Sequence, residues 1–282
     1  MNWYHKYVQA LGDFTRLPDD VFTQIGNNLK RMERGDHIDV SFIFIACNEE
    51  SRLLPSVWSV SEMQTDLSVE VIVVNNASTD RTQEMIDRMG VHTVFQPKPG
   101  HGNARQAGLD MARGKYHLSA DADTLYPPAY VDEMVRRLSQ PGVAVVFAPY
   151  GFFSDKTATS TLSLKIYELC RDGVIALRAR KRPELCAGGA AMACYTEQMK
   201  QVGWRADLRR GEDGSMLLAL KKYGKAVLVL SRKARVKSSS RRLDADGSFL
   251  KMVVQRIRRE IRGFSHFFTK QRHYADKLSN LK

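Results

Sequence analysis

The sequence predicts an α/β protein: a doubly wound, mostly parallel mixed sheet flanked by helices. Three observations lead there. From residue 38 onward, short apolar runs alternate with amphipathic segments. The runs are apolar at successive positions, as strands covered by helices on both faces require. Polar clusters, NEES at 48–51, NNASTD at 75–80 and DADT at 121–124, follow three of the runs, where open α/β sheets bind ligands.

The elements follow in order. Residues 1–37 read as a helical N-terminal extension: Val8, Leu11, Val21, Ile25 and Leu29 have amphipathic spacing, and Pro18 marks a turn between two pieces. VSFIFIA at 40–46 is a buried strand, followed by a helix over 53–62. VEVIVV at 69–74 is the second strand, with a polar turn at 75–80 and a helix over 82–89. A short strand over 91–95 leads into the loop PKPGHGN, a helix over 104–113 and a strand over 116–120 that ends in DADT. Pro127 and Pro128 open a helix through Leu138, and a fifth strand spans 143–148. The second half is less regular. It holds a helical stretch over 157–182, a small-residue segment CAGGAAMAC at 186–194, a helix over 215–222 after GEDG, and a strand over 226–230. The domain reading is a helical extension over 1–37, a main domain over 38–235 and a basic tail over 236–282.

Composition sets limits on function. The chain has 282 residues, 43% hydrophobic and 26% charged, which excludes disordered, collagenous and disulfide-stapled classes. It contains no apolar run long enough to cross a bilayer, and its N-terminus lacks the apolar stretch of a secretory signal. Four scattered cysteines without C-x-x-C spacing read as reduced thiols, so a cytoplasmic location is expected. The net charge of +12 is localised. Residues 232–282 carry 15 Lys and Arg against 4 Asp and Glu, whereas residues 1–231 carry 28 against 27. A cationic tail on a near-neutral body points to an anionic partner.

Few residues carry chemistry. Asp121 and Asp123 lie one residue apart after an apolar strand; they are either two solvated carboxylates or hard oxygen ligands for Mg²⁺ or Mn²⁺ shared with a substrate phosphate. Glu212 and Asp213, between glycines, either complement a helix dipole or supply a proton acceptor. Gly100-His101-Gly102-Asn103-Ala104-Arg105 opens a helix in a form that admits phosphate, yet it is neither a Walker loop nor a dinucleotide fingerprint.

Taken in order, IACNEE (45–50), VVNNASTDRT (73–82), GHGNARQAGLDMARGKY (100–116), DADT (121–124), CAGGAAMA (186–193) and GED (211–213) resemble the motif series of the family 2 glycosyltransferases, over roughly residues 38–230. The resemblance implies a GT-A fold for the main domain and a metal-dependent, inverting transfer from a nucleotide-sugar, with UDP as the first candidate, to an acceptor hydroxyl. It places Asn48, Glu49, Asn76 and Ser78 around the base and ribose, Arg105 on the donor side, Asp121 at the ribose and Asp123 at the metal. It makes Asp213 the general base and gives the Gly188-Gly189 segment to the acceptor side. Asp123 and Asp213 are then expected to face one cleft. The chain departs from the family pattern at Ile45 and Cys47, where Pro and Tyr are usual, at Asn75-Asn76, where two Asp are usual, and at Gln106, where Asn is usual. An amide at Asn76 can donate as well as accept, which alters how a uracil would be read.

In the tail, Arg241 and Arg242 could clamp a diphosphate, but the Q-x-x-R-W pattern of processive relatives is missing. From 248 to 268 the apolar positions have helical spacing, with Lys251, Arg256, Arg258, Arg259 and Arg262 between them. Such a helix either docks on the body or lies on an anionic membrane surface, and the second suits a lipid-linked acceptor in bacterial-type polysaccharide or glycolipid assembly and a peripheral place at the inner face of the cell membrane. Two other functions stay open at this point: a nucleotidyltransferase acting on a sugar phosphate, which the acidic CNEES turn disfavours, and a non-enzymatic binder of an anionic partner through the tail. Nucleic acid is not an expected partner, because the tail aromatics follow helix periodicity.

Overall fold

The computed structural model describes residues 2–153, 161–208 and 211–239. The first half runs α1 (His5–Gln9), α2 (Asp19–Met32), β1 (Val40–Ala46), α3 (Leu53–Ser61), β2 (Val69–Asn75), α4 (Thr82–Met89), β3 (His92–Phe95), α5 (His101–Met111), β4 (Tyr116–Asp121), β5 (Thr124–Leu125), α6 (Tyr130–Leu138) and β6 (Val143–Phe147). The second half runs β7 (Tyr150–Phe153), α7 (Thr161–Ala179), β8 (Met192–Tyr195), α8 (Thr196–Val202), α9 (Glu212–Leu220), β9 (Lys225–Leu228) and β10 (Val236–Ser239).

Seven strands form the main sheet in the order β3-β2-β1-β4-β8-β6-β9. All neighbours are parallel except β8, which runs antiparallel to both β4 and β6. This is the mixed, mostly parallel sheet the sequence predicts. A second sheet, β5-β10-β7, stands beside it. The apolar runs explain the centre: nearly every position of β1 and β2 is buried, while β3, at the sheet edge, is largely exposed.

The two faces of β1 build two cores. Phe42 and Phe44 point to one side, edge-on to Tyr126, and share a cluster with α2, α3, α4 and α6. Both rings are fully buried, and truncating either to Ala would cost about 3–5 kcal/mol. Ile43 points to the other side with Ile72, Val74 and Ala104 of α5. Gly108 is required there, because a side chain on it would overlap Ile43 and Val74.

Phe22, Ile25, Leu29 and Met32 of α2 are spaced to bury one stripe, and they enter the same cluster as Phe42. The residues drawn as an N-terminal extension therefore share the main core. Val236–Ser239, drawn with the tail, pairs with β5 and β7 as β10. The rest of the tail, including the helix expected from residue 248, lies outside the described residues. None of the four cysteines is in a disulfide, and no helix among the described residues is long and apolar enough to cross a membrane.

The strand order puts a switch point at β1, with β2 on one side and β4 on the other. Ala46 is level with Asn75, and Ile45 is level with Asp121. The three polar clusters of the sequence thus come out side by side at the carboxyl end of the sheet.

Candidate active site

The loops after β1 and β2 are wired to each other. Asn48, at φ 55°, donates its N–H to Ser78 Oγ (3.0 Å), and its Oδ1 accepts from the N–H groups of Thr79 (2.8 Å) and Asp80 (3.3 Å). Asn tolerates this left-handed backbone better than most residues. Glu49 N–H donates to Thr82 Oγ1 (2.9 Å). Asn76 is buried and fully used: its amide donates to the carbonyls of Gln96 (3.0 Å) and Lys98 (2.7 Å), and its oxygen accepts from Gly100 N–H (2.9 Å). Asn75 does the same locally, donating to Gln83 Oε1 (2.7 Å) and accepting from Ser78 N–H (3.1 Å). Carboxylates could not donate these bonds and would repel the carbonyls. The amide pair that departs from the family pattern therefore has a structural reason. Of the four side chains expected around base and ribose, Asn76 is committed to fixing the loop that enters α5.

The DADT turn is held by three other elements. Ser56 of α3 donates to the carbonyl of Ala122 (2.7 Å), and Ser239 of β10 donates its N–H to the carbonyl of Asp123 (3.0 Å). Tyr126, whose hydroxyl burial and the nearby Tyr130 and Asp121 keep protonated well above its ordinary pKa, accepts from Asp121 N–H (3.1 Å) and donates to the carbonyl of Ala190 (2.9 Å). A single phenol thus joins the DADT turn to the Gly-Gly segment.

Arg105 joins the two acidic motifs. Its side chain is 4% exposed, with Nη2 2.8 Å from Asp121 Oδ1 and Nε 3.3 Å from Asp213 Oδ1. Its guanidinium lies 5.4 Å from the Trp204 ring centroid. Asp213 accepts the Gly189 N–H at its other oxygen (2.8 Å). Gly211, at φ 97°, starts α9 one turn earlier than the sequence suggests, which puts Glu212 and Asp213 in the first helical turn. Buried Glu212 meets His101 Nδ1 at 3.4 Å. The Glu212 contact holds the His101 imidazole above its usual pKa. Burial would raise Glu212, but the His101 bond, its own N–H and the Arg105 charge hold it below the carboxylate range. Asp213 behaves oppositely: burial pushes it up to about 6 despite Arg105, with Glu212 and Asp121 adding to the rise.

The structure thus brings Asp121, Asp213, Arg105 and Gly189 together, with Asp123 on the same turn as Asp121. Arg105, expected on the donor side, is enclosed between the two carboxylates. Arg241 and Arg242 lie outside the described residues. Tyr126 and Trp204 were not legible as site residues: a Tyr ahead of two Pro and a lone Trp carry no local signal. A solvent-open hollow of about 650 Å³, lined by Asn28, Arg31, Arg34, Thr65 and Asp132, contains none of these side chains. The donor set suits a hard divalent cation, since Asp121 is 38% exposed and Asp123 is half-buried at a strand end. Among the described residues no group of three or more His, Cys, Asp or Glu is arranged to hold a metal ion. Two carboxylates leave the remaining coordination positions to water or phosphate oxygens.

The family model described as Glycosyl transferase family 2 matches residues 41–196. An uncharacterized glycosyltransferase of Bacillus subtilis, YkcC, is 30% identical over 123 residues, covering 40% of this chain and 37% of that protein. The succinoglycan biosynthesis protein ExoO of Rhizobium meliloti is 28% identical over 111 residues, covering 38% of this chain and 32% of that protein. The matched segments thus span about a third of those relatives' length. The mannosyltransferase PcManGT from Pyrobaculum calidifontis, solved in complex with GDP-Man and Mn²⁺, superposes with a TM-score of 0.55 at 18% identity, over 78% of this chain and 64% of that one. TarS residues 1–349 of S. aureus in complex with UDP gives 0.55 at 16% identity, over 72% and 60%. What these structures share with the chain is the GT-A fold.

Proposed function

The chain belongs to glycosyl transferase family 2, and from that premise we propose that it moves a sugar from a nucleoside diphosphate sugar to an acceptor hydroxyl with inversion at the anomeric carbon. The observation that carries the reading is the Asp121–Arg105–Asp213 bridge. It couples a donor-side carboxylate to a carboxylate that accepts a bond from the Gly-Gly segment.

In this reading Asp123, assisted by Asp121, holds Mg²⁺ or Mn²⁺. When bound, the ion supplies Lewis-acid stabilisation of the charge that develops on the departing diphosphate. Asp213 takes the proton of the acceptor hydroxyl at a carboxylate oxygen as that hydroxyl attacks the anomeric carbon from the face opposite the diphosphate. With its pKa at about 6, it is ionised at neutral pH and still basic enough to accept the proton. Such general-base help is typically worth ~10²–10⁴ in rate. Arg105 keeps that carboxylate in place from one side and Gly189 N–H from the other. A single displacement needs no covalent nucleophile. Arg241 and Arg242 are assigned to the diphosphate, and Asn48, Glu49 and Ser78 to the base and ribose. The likeness to ExoO, named for succinoglycan biosynthesis, supports a saccharide acceptor; the charge of the basic tail is what supports a lipid-linked form of it, presented at an anionic membrane surface. Family membership sets aside the nucleotidyltransferase and the non-enzymatic binder.

A panel of UDP- and GDP-sugars, with and without Mn²⁺, tests this. Slow donor hydrolysis is expected with one of them and is lost in Asp123→Ala. Asp213→Asn should bind nucleotide normally and lose transfer. Transfer at the wild-type rate by Asp213→Asn would remove the base assignment.

A further inference from the structure

Helix α7 is amphipathic in an inverted sense. At about 100° per residue, its positions divide into two halves. The inward half holds the charges. Glu168 Oε1 accepts from Phe152 N–H (2.7 Å) and lies 3.3 Å from Lys237 Nζ; Asp172 pairs with Arg235, and the Arg171 guanidinium lies 4.5 Å from the Tyr150 ring centroid. The outward half is apolar along its middle, with Leu169 76%, Val174 47% and Leu177 61% exposed. Exposed Lys165 stands at one end, exposed Arg180 follows the other in the turn after Ala179, and among the described residues no Asp or Glu shares that face. A helix that buries its acids and shows its leucines to solvent has a partner for the outward face.

Charge selects the partner. A second copy of the chain would present the same cations, so pairing of this face with itself is opposed. A nucleic acid would leave the leucines and valine uncovered. We propose that the outward face of α7 lies on an anionic lipid surface, with Leu169, Val174 and Leu177 in the boundary between headgroups and acyl chains and Lys165 and Arg180 on lipid phosphates. This surface is distinct from the 236–282 segment, and the evidence for it does not depend on the transfer reaction. Its position has a consequence for the site. The inward acids tie α7 to β10, whose Ser239 holds the Asp123 carbonyl, and the chain leaving α7 reaches Gly189 within ten residues. A helix seated on lipid is thus joined to both the donor turn and the segment that holds Asp213.

The test is co-sedimentation of the full chain with phosphatidylglycerol–phosphatidylcholine vesicles, against phosphatidylcholine vesicles alone, over a salt series. Wild type is expected to bind only the anionic vesicles. Leu169→Asp/Leu177→Asp, with an unchanged circular dichroism spectrum, should weaken binding tenfold or more, and Lys165→Gln/Arg180→Gln should weaken it and flatten its salt dependence. Should the first variant fail to fold, the second decides. The proposal is overturned if wild type ignores phosphatidylglycerol, if the folded variants bind as wild type does, or if Leu169→Asp/Leu177→Asp instead breaks a dimer of a chain that binds no vesicle.

Discussion

Replacing Gly189 by Ala adds one methyl group at the point where the two halves of the site meet. Built on the backbone, that methyl overlaps the Arg105 guanidinium and Asp213 Oδ1. Neither neighbour has room to retreat. Arg105 is 4% exposed, fixed by Asp121 at 2.8 Å and covered by Trp204; Asp213 is held at its other oxygen by the N–H of Gly189 itself. Relief therefore means giving up the 3.3 Å Arg105–Asp213 pair or the 2.8 Å Gly189 bond. A hydrogen bond to a charged group is worth about 1.5–3 kcal/mol, which corresponds to roughly a 10- to 150-fold loss of kcat if that bond aligns the base. Overpacking of a close-packed site costs about 1–3 kcal/mol of stability, or a melting temperature lower by roughly 2–12 °C for a chain of this size. The assay pairs transfer kinetics with nucleotide binding by calorimetry and a thermal melt. The expected pattern is a lower kcat, a lower melting temperature and nucleotide affinity changed by much less. A Gly189→Ala protein with wild-type kcat and melting temperature would refute the argument that Arg105, Asp213 and Gly189 form one packed unit.

Three further outcomes follow from the same geometry. Because burial raises Asp213 to about 6 and the base must be ionised, kcat/KM should fall about tenfold per pH unit below that value and level off above it, as read from a pH–rate profile; a flat profile down to pH 5 would contradict this. The stability sign is the reverse of the usual Asp case. The folded state holds this proton to a higher pH than the unfolded chain, with its ordinary pKa of 3.8, so wild type should lose stability relative to Asp213→Asn as pH rises from 3.8 to about 6, measured as the difference in their melting temperatures. Tyr126→Phe keeps the ring but removes the bonds to Asp121 N–H and Ala190 carbonyl. Leaving those half-buried groups unpaired should cost up to about 1–3 kcal/mol in denaturant unfolding, and the loosened turn should raise the KM for the donor.

The strands that build the sheet centre were legible because their burial is local information. A run such as VSFIFIA or VEVIVV is apolar at consecutive positions, and only a strand covered on both faces asks for that. β8 was not legible for the opposite reason. Its four residues, MACY, sit in a small-residue segment and become a strand only by inserting antiparallel between β4 and β6, partners brought there by the rest of the fold. β5, β7 and β10 are two to four residues long, and β10 lies more than eighty residues from either partner. Strands that short have no periodicity to read, so the boundary at 236 left the whole of β10 with the tail.

The site divides along the same line. Asp121, Asp123 and Asp213 stand out in sequence because clustered carboxylates at strand ends and helix starts are conspicuous wherever they occur. Arg105 stands out as part of a motif, yet nothing in the motif says that it will be buried between carboxylates from two distant segments. Its role depends on three chain segments meeting, and the groups that make them meet, Tyr126 between Asp121 and Ala190 and Ser239 on the Asp123 carbonyl, are ordinary residues in ordinary contexts. Asn76 shows the converse. Its substitution for a carboxylate reads in sequence as a change of nucleotide chemistry, but its amide donates to two carbonyls that a carboxylate would repel. The physical demand on that position is set by the loop entering α5, so the nucleotide preference has to be read from groups other than Asn76.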